Sequence, residues 1–194
     1  MEIDTSREAP HISLPSDEEL SPEICQVLNK LPPLNVFRIM GRAPESFQPF
    51  LDFAFSILVK SEFDARKREI AVLRVAHVTK ADYEWVQHVA VAKGVGVTQE
   101  EIDLIGVDGP VSGLDEEGNL LCRVADEISR DVRLGDEALA AIIGRYGERQ
   151  AMELILCCAY FNMLSRVLES ARVQLEETPV LGPGPDSARI REDR

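Results

Sequence analysis

Apolar residues recur every three or four positions along most of the chain, which predicts an all-α fold of antiparallel helices. From Asn35 onward the pattern is helical, and Pro44 is expected in the first turn of a helix. Its core-facing positions are Phe47, Phe50, Leu51, Ala54, Phe55 and Leu58. We find no segment with a convincing strand pattern, so the protein is expected to consist of helices and loops.

Capping residues and glycines divide the chain into further helices. Ser16 or Asp17 is expected to cap a first short helix, and Asp64 a later one. Thr79 and Asp82 resemble a capping box, and Thr98 with Glu101 forms another. The helices predicted after the first two run over residues 64–77, 83–93, 98–105, 120–131, 136–146 and 148–175.

The predicted organisation is one helical domain with two irregular ends. Residues 1–15 have no periodicity and are expected to form an extended arm, and residues 16–175 form the domain. Residues 106–118 contain four glycines and a proline, which predicts a loop between two helical groups. Residues 176–194 are predicted to be a flexible tail rich in Pro and Gly.

Composition narrows the classes of partner. With 45% hydrophobic and 28% charged residues, the 194-residue chain matches a globular protein. A formal net charge of −13 disfavours nucleic acid and anionic membranes as partners. The longest apolar stretch, residues 151–164, includes Glu153 and is shorter than a bilayer span, so a core helix is expected. The N-terminus lacks a secretory pattern, which predicts a cytoplasmic protein.

The cysteines and histidines do not form a recognisable metal motif. The four cysteines include no C-x-x-C, and the three histidines have no zinc-ligand spacing. We therefore predict no metal, and we expect the cysteines to be free thiols without a redox role. They are Cys25, Cys122, Cys157 and Cys158.

Candidate acid-base residues lie on two successive predicted helices. Glu69 falls on the apolar side of its helix, although Arg66, one turn earlier, is a possible partner that would neutralise it. On the next helix Glu84 and His88 lie one turn apart on an apolar stripe. A carboxylate beside an imidazole raises the pKa of the imidazole and orients the ring, as general acid-base catalysis requires. The alternative is a solvated Glu-His pair without a catalytic role.

Three further residues are candidates for substrate binding. Tyr83 and Trp85 flank Glu84 and either line a pocket or belong to the core. Arg166 has the planar guanidinium that binds a carboxylate in a bidentate manner, but it is equally placed to pair with Glu169 or with a neighbouring subunit.

These motifs resemble the carboxymuconolactone decarboxylase and alkylhydroperoxidase D superfamily. The specific part begins at Arg68-Glu69 and continues through Tyr83-Glu84-Trp85-Val86-Gln87-His88 and Gly94 to the capping box at Thr98. A looser similarity extends from Pro33 to Arg166. The peroxidase pattern has a Glu, a C-x-x-C and a His, and its cysteine positions fall on Ala81 and Glu84 here. Without these thiols, peroxidase activity is not expected to transfer.

The decarboxylase branch has a similar Tyr-Glu-Trp stretch and no C-x-x-C. It implies a lyase that acts on a small carboxylated lactone without a metal or organic cofactor, in a trimer or hexamer of identical chains. By this resemblance His88 delivers a proton, Glu69 orients its ring or relays the proton, and Glu84 is the second acid-base group. Two alternatives stay open, namely a peroxidase that uses another cysteine such as Cys122, and a non-catalytic binding scaffold.

Overall fold

The computed structural model describes residues 11–177 and residue 180, and all regular structure within them is helical. After a 3₁₀ turn at Asp17–Glu19, the helices are α1 (Pro22–Leu28), α2 (Asn35–Met40), α3 (Pro44–Leu58), α4 (Ala65–Thr79), α5 (Asp82–Gly94), α6 (Gln99–Ile105), α7 (Glu116–Asp131) and α8 (Asp136–Ala171). The predicted all-α fold is therefore confirmed.

Helix α4 is the centre of the fold. Asp64 caps its N-terminus by accepting a hydrogen bond from the backbone N–H of Lys67, as predicted. Nine consecutive residues, 68–76, are buried because α4 packs against α5, α6, α7 and α8. A charged side chain in this segment has little access to bulk water, so it needs a partner inside the protein.

One such side chain, Arg74, connects α4 to the loop after α6 and to α7. It is 0% exposed, and its guanidinium forms a bidentate ion pair with Asp126 at 2.7 and 3.0 Å. It also donates to the backbone carbonyls of Ile105 at 2.8 Å, Val107 at 2.7 Å and Gly109. These contacts satisfy the buried cation and hold the glycine-containing loop against the core.

The long helix α8 is interrupted at Gly147, where φ is 75° and ψ is 165°. The first segment ends beside the start of α7, since the Tyr146 hydroxyl donates to Glu117 at 3.0 Å. In the second segment Asn162 Nδ2 donates to Ser129 near the end of α7 at 2.9 Å. The chain therefore reverses along α7, and the boundary predicted between residues 146 and 148 is confirmed.

Two predicted boundaries near glycine and threonine are wrong. Helix α7 begins at Glu116, inside the predicted loop, because Asp115 caps it and Gly118 lies within its first turn. A Cβ at Gly118 would lie 2.9 Å from the Cβ of Leu114, so this glycine permits close packing. The capping box expected at residues 79–82 does not form, since Thr79 donates to the carbonyl of Val75 in its own helix.

The described ends of the chain lie against the helices. The backbone N–H of Ile12 donates to the carbonyl of Ala171 at 3.0 Å, where α8 ends, four residues earlier than predicted. Glu176, assigned to the tail from the sequence, accepts hydrogen bonds from the N–H of Asn35, the hydroxyl of Tyr83 and the amide of Gln87. The rest of the predicted tail, apart from residues 177 and 180, lies outside the described residues, as do residues 1–10 of the predicted arm.

Among the described helices, α8 alone is long and apolar enough to cross a membrane by length and composition. Its most apolar window has a mean hydropathy of 1.4, and 56% of that window is buried inside the protein. This extent of burial fits the core helix that the sequence predicts.

Gly147→Ala is expected to destabilise the protein by about 1–3 kcal/mol, because an alanine is strained at this positive φ. Gly144→Ala is the matched control, since Gly144 is helical and a Cβ there meets no atom within 4 Å. The control is expected to be neutral or stabilising by about 0.5–1 kcal/mol. Urea unfolding of both variants measures the difference, and equal stabilities would contradict the backbone assignment at Gly147.

Candidate active site

Helices α4 and α5 present three titratable side chains to one another. The two helices pack together directly, and the two residues Lys80 and Ala81 connect them. Glu69 comes from α4, whereas Glu84 and His88 lie one turn apart on α5. The structure therefore brings together the three residues that the sequence singled out for acid-base chemistry.

Glu69 is the innermost of the three residues, with a side chain that is 0% exposed. Its Oε2 lies 2.7 Å from Nδ1 of His88. Because a carboxylate only accepts hydrogen bonds, Nδ1 carries the hydrogen and donates it. Oε1 accepts a second hydrogen bond from Nε of Arg68 at 3.3 Å. Both oxygens of Glu69 are thus bound by groups that carry positive charge when protonated.

Glu84 lies on the other side of the imidazole. Its Oε2 is 3.6 Å from Nε2 of His88, and its side chain is 4% exposed. Burial is the main cause that raises the pKa of Glu84 from 4.5 to about 7; the positive charge of His88 opposes this shift, and the negative charge of Glu69 adds to it. Glu84 therefore exchanges a proton near neutral pH, which an ordinary glutamate does not.

The imidazole of His88 has opposing influences on its charge. Burial lowers its pKa, but the charge and the hydrogen bond of Glu69, with the charge of Glu84, outweigh burial and raise it. Its side chain retains 13% exposure. The ring packs at nearly a right angle to that of Phe161 in α8, with centroids 4.8 Å apart, and this contact restrains the imidazole further. His88 is thus held in one orientation with Nε2 directed toward Glu84.

This arrangement favours proton transfer. The contact with Glu69 fixes the tautomer and the plane of the ring, and it leaves Nε2 facing Glu84, whose pKa is raised to about 7. Among the described residues, no group of three or more His, Cys, Asp and Glu side chains has the geometry to hold a metal ion.

Arg66, which the sequence offered as a possible partner of Glu69, pairs with another residue. Arg66 pairs with Glu101 at 2.5 Å and donates to the carbonyl of Gly96 at 3.3 Å, on the surface beside the capping box of α6. Arg68, whose side chain is 9% exposed, takes the place beside Glu69. Adjacent helical residues normally point about 100° apart, so helical spacing does not reveal this pair.

The three residues suggested for substrate binding do not share one location. The hydroxyl of Tyr83 donates to Glu176 and accepts from the N–H of Val36, which connects α5 to α2 and to the segment after α8. Burial is the first cause of its raised pKa, followed by the bond to Glu176. These contacts describe a structural tyrosine.

Trp85 and Arg166 also have partners away from the imidazole. Trp85 lies 6.0 Å from the ring of His77, and a Cβ at Gly106 would be 3.1 Å from its indole. Nη1 of Arg166 donates to the backbone and side-chain oxygens of Asn162, on the exposed side of α8. Neither residue has a described contact with the three acid-base groups.

Sequence reasoning missed two residues at the site, Arg68 and Phe161. Arg68 is part of the Arg-Glu motif, but only the burial of α4 on every side makes its guanidinium a partner of Glu69. Phe161 reaches His88 from a helix more than 70 positions later, and its apolar neighbours gave no signal that separates it from an ordinary core residue.

Comparisons with known proteins agree with the motifs. The sequence model of the Carboxymuconolactone decarboxylase family matches residues 44–127, which contain all three acid-base groups. No curated protein matches the chain.

Solved structures share the fold. A peroxidase-related protein from Ralstonia eutropha JMP134, described as an alkylhydroperoxidase AhpD core, has a TM-score of 0.77 and 16% identity over 90% of this chain and 98% of its own. A peroxidase-related protein from Silicibacter sp. TM1040 has a TM-score of 0.77 and 16% identity over 93% and 100%. A protein of unknown function from Agrobacterium tumefaciens has a TM-score of 0.61 and 17% identity over 72% and 96%.

The described helices thus form an AhpD-like fold. Residues 44–127 match the sequence model of the carboxymuconolactone decarboxylase family, and the resemblance predicted from the motifs is confirmed. At 16–17% identity the solved structures establish the fold and leave the reaction open.

Glu84→Gln is expected to change how stability depends on pH. A carboxyl group whose pKa is raised from 4.5 to about 7 on folding stays protonated in the folded state after it ionises in the unfolded state. The free energy of unfolding therefore falls as pH rises through this window, and Gln removes the effect. From about pH 5 to about pH 8, the variant should gain about 1–3 kcal/mol relative to wild type.

Urea unfolding across this pH range measures the gain. The control is Glu137→Gln, because the Glu137 side chain is 83% exposed and its replacement should leave the difference from wild type nearly independent of pH. A Glu84→Gln difference that is equally flat would show that Glu84 ionises at an ordinary pH.

Proposed function

We propose that this protein is a cofactor-independent acid-base enzyme that decarboxylates a small organic acid or lactone. The observation that carries the proposal is the imidazole of His88 held between two buried carboxyl groups, one of which titrates near pH 7. The decarboxylase resemblance implies the same use of these residues and no metal or organic cofactor.

The reaction requires one proton at carbon. The bond between the carboxylate and its neighbouring carbon breaks, carbon dioxide leaves, and the electron pair stays on that carbon, delocalised into an adjacent carbonyl group. His88 then delivers the proton on Nε2 to the carbon, and Glu84 supplies the replacement proton to Nε2. Glu69 keeps Nδ1 protonated and the ring fixed, so the imidazole exchanges protons through Nε2.

Arg166 is our candidate for an outer carboxylate-binding group. In the described part of the chain, its hydrogen bonds use Nη1, and Nε and Nη2 are left for a substrate oxygen. The contacts of Tyr83 and Trp85 favour structural roles, and we do not include them in the proposed reaction.

A thiol peroxidase is a weaker alternative. Such an enzyme needs a thiolate, whereas burial raises the pKa of Cys122 and of Cys158 to about 12 and that of Cys157 well above its usual range. These three thiols are poor nucleophiles at neutral pH. If alkylation of the thiols abolishes all enzymatic turnover of the protein, the peroxidase is favoured over the acid-base enzyme.

A non-catalytic scaffold is the other alternative. It would be favoured if ion pairs neutralised both carboxylates. Glu69 is indeed paired with His88 and Arg68, but Glu84 has only the 3.6 Å contact with His88 among the described residues, and its pKa is raised. One carboxyl group therefore remains available for proton transfer, which supports the enzyme.

Carbon dioxide release from a panel of small lactone acids and β-oxo acids tests the proposed activity. His88→Gln is expected to reduce kcat/KM by about 10²–10⁴-fold, because the proton donor is lost. His77→Gln is the matched control and should keep wild-type activity, since His77 contacts Trp85 and Asp108 away from the cluster. Turnover that survives in His88→Gln would exclude the proposed role of the imidazole.

We also propose that the protein is a homo-oligomer, as the resemblance implies. The second segment of α8 exposes apolar residues at helical spacing, and the exposed Phe53 of α3 contacts Tyr160 of the same segment. The α8 positions are Met152, Leu156, Ala159 and Met163. A continuous apolar face of this kind is typical of a protein interface.

Leu156→Glu should lower the oligomer mass, because it places a charge on this face. Light scattering after size-exclusion chromatography measures the mass. Leu139→Glu, in the first segment of α8, is the control and should leave the mass unchanged. A wild-type protein that is monomeric at all concentrations would contradict the proposal.

A further inference from the structure

A series of aromatic contacts leads from the protein surface to His88. Phe53 is 42% exposed, and its ring centroid lies 5.5 Å from that of Tyr160. Tyr160 in turn meets Phe161 edge-on at 5.1 Å, and Phe161 meets His88 at 4.8 Å. Phe50 stacks on another side of Tyr160 at 6.1 Å. Of the residues in this series that lead to His88, Tyr160 is the one that carries a polar side-chain group.

The hydroxyl of Tyr160 has no hydrogen-bond partner in the part of the chain that is described, although the residue is only 3% exposed. Buried tyrosines usually bond their hydroxyl to protein, so a hydroxyl without a partner among the described residues is available to a ligand.

Glu84 and the Tyr160 hydroxyl influence each other electrostatically. Burial raises the pKa of Tyr160 first, and the negative charge of Glu84 raises it further. The phenol therefore remains protonated at physiological pH and acts as a hydrogen-bond donor. This electrostatic influence agrees with the ring contacts, in which Phe161 lies between Tyr160 and His88.

We propose that Tyr160 is a substrate-binding residue whose hydroxyl donates a hydrogen bond to a substrate oxygen beside Glu84 and His88. This inference rests on the proposed decarboxylase function and narrows its substrate class to acids with a carbonyl oxygen conjugated to the carbon that loses carbon dioxide. When the carbon–carbon bond breaks, the electron pair moves onto that oxygen. The phenol keeps its proton and stabilises the resulting enolate, and the proton for carbon comes from His88.

Packing alone does not account for a tyrosine at this position. The contacts with Phe50, Phe53 and Phe161 are made by the ring, and a phenylalanine would make them equally well. The hydroxyl adds a polar group without a described partner, which does not improve the core. A role in binding gives it one.

Tyr160→Phe tests the proposal because it removes one oxygen and keeps the ring. With a substrate that the wild type decarboxylates, we expect kcat/KM to fall about tenfold or more, mainly in kcat, with an unchanged free energy of unfolding. Tyr146→Phe is the matched control, since its hydroxyl binds Glu117 outside the cluster, and it should keep wild-type kcat/KM. Equal kcat/KM for Tyr160→Phe and wild type would overturn the proposal.

A binding measurement separates this inference from the proposed function. Acetoacetate carries both a carboxylate and a β-carbonyl oxygen. Its binding can be followed by fluorine NMR of the protein labelled with 3-fluorotyrosine, because the chain has only three tyrosines and hence three signals to assign. A shift of the Tyr160 signal alone, with about tenfold weaker binding in Tyr160→Phe, supports the inference even if no carbon dioxide is released. Catalysis without any Tyr160 shift or loss in Tyr160→Phe would refute the inference and leave the decarboxylase standing. Absence of acetoacetate binding to the wild type would also count against it.

Discussion

The site depends on one constraint, the burial of the Glu69 carboxylate between α4 and the helices packed against it. A charge that is fully enclosed is costly unless partners replace the water it has lost. Arg68 and His88 are those partners, and they bind separate oxygens. The requirement fixes the position of α5 relative to α4, because His88 reaches Glu69 only when the two helices lie side by side. The same pairing orients the imidazole ring toward Phe161 of α8. Packing of three helices is thus coupled to one pair of charges.

The same helix solves a second burial problem with a different outcome. Arg74 is enclosed as completely as Glu69, yet Asp126 and three carbonyl groups satisfy it, and a guanidinium does not give up its proton under ordinary conditions. That cluster holds a loop and has no capacity for acid-base chemistry. In the Glu69 cluster, by contrast, His88 lies 3.6 Å from Glu84, and burial raises the pKa of that carboxyl group. The two clusters therefore differ in how fully each charged member is paired.

Local patterns were sufficient for most of the fold and insufficient for part of the site. Helix periodicity, the cap at Asp64 and the glycine at 147 were correctly predicted because each acts through neighbouring residues. Gly118 was wrongly assigned to a loop. It lies in the first turn of α7, where the absence of a side chain allows close packing against Leu114. The meeting of Glu69 with His88 followed from their shared apolar faces, but the choice of Arg68 over Arg66 depended on the burial of α4 by four other helices. The contacts of Glu176 with Tyr83 and of Phe161 with His88 join distant segments, and no spacing rule reveals them.

The residue at position 84 connects the fold to the choice of chemistry. In the peroxidase pattern a cysteine stands at this position, with its partner at position 81, whereas this chain has a glutamate and an alanine there. A carboxyl group cannot form a disulfide or reduce a hydroperoxide, but burial gives it a pKa near the operating pH, which suits a proton donor. The environment that would activate a thiol, a buried imidazole oriented by a second carboxylate, serves a carboxyl group equally well. The two replacements, at positions 81 and 84, leave the helical frame without the thiol pair of the peroxidase pattern and put a proton-exchanging group in its place. Cys122, Cys157 and Cys158 do not restore the thiol chemistry, because burial raises the pKa of each.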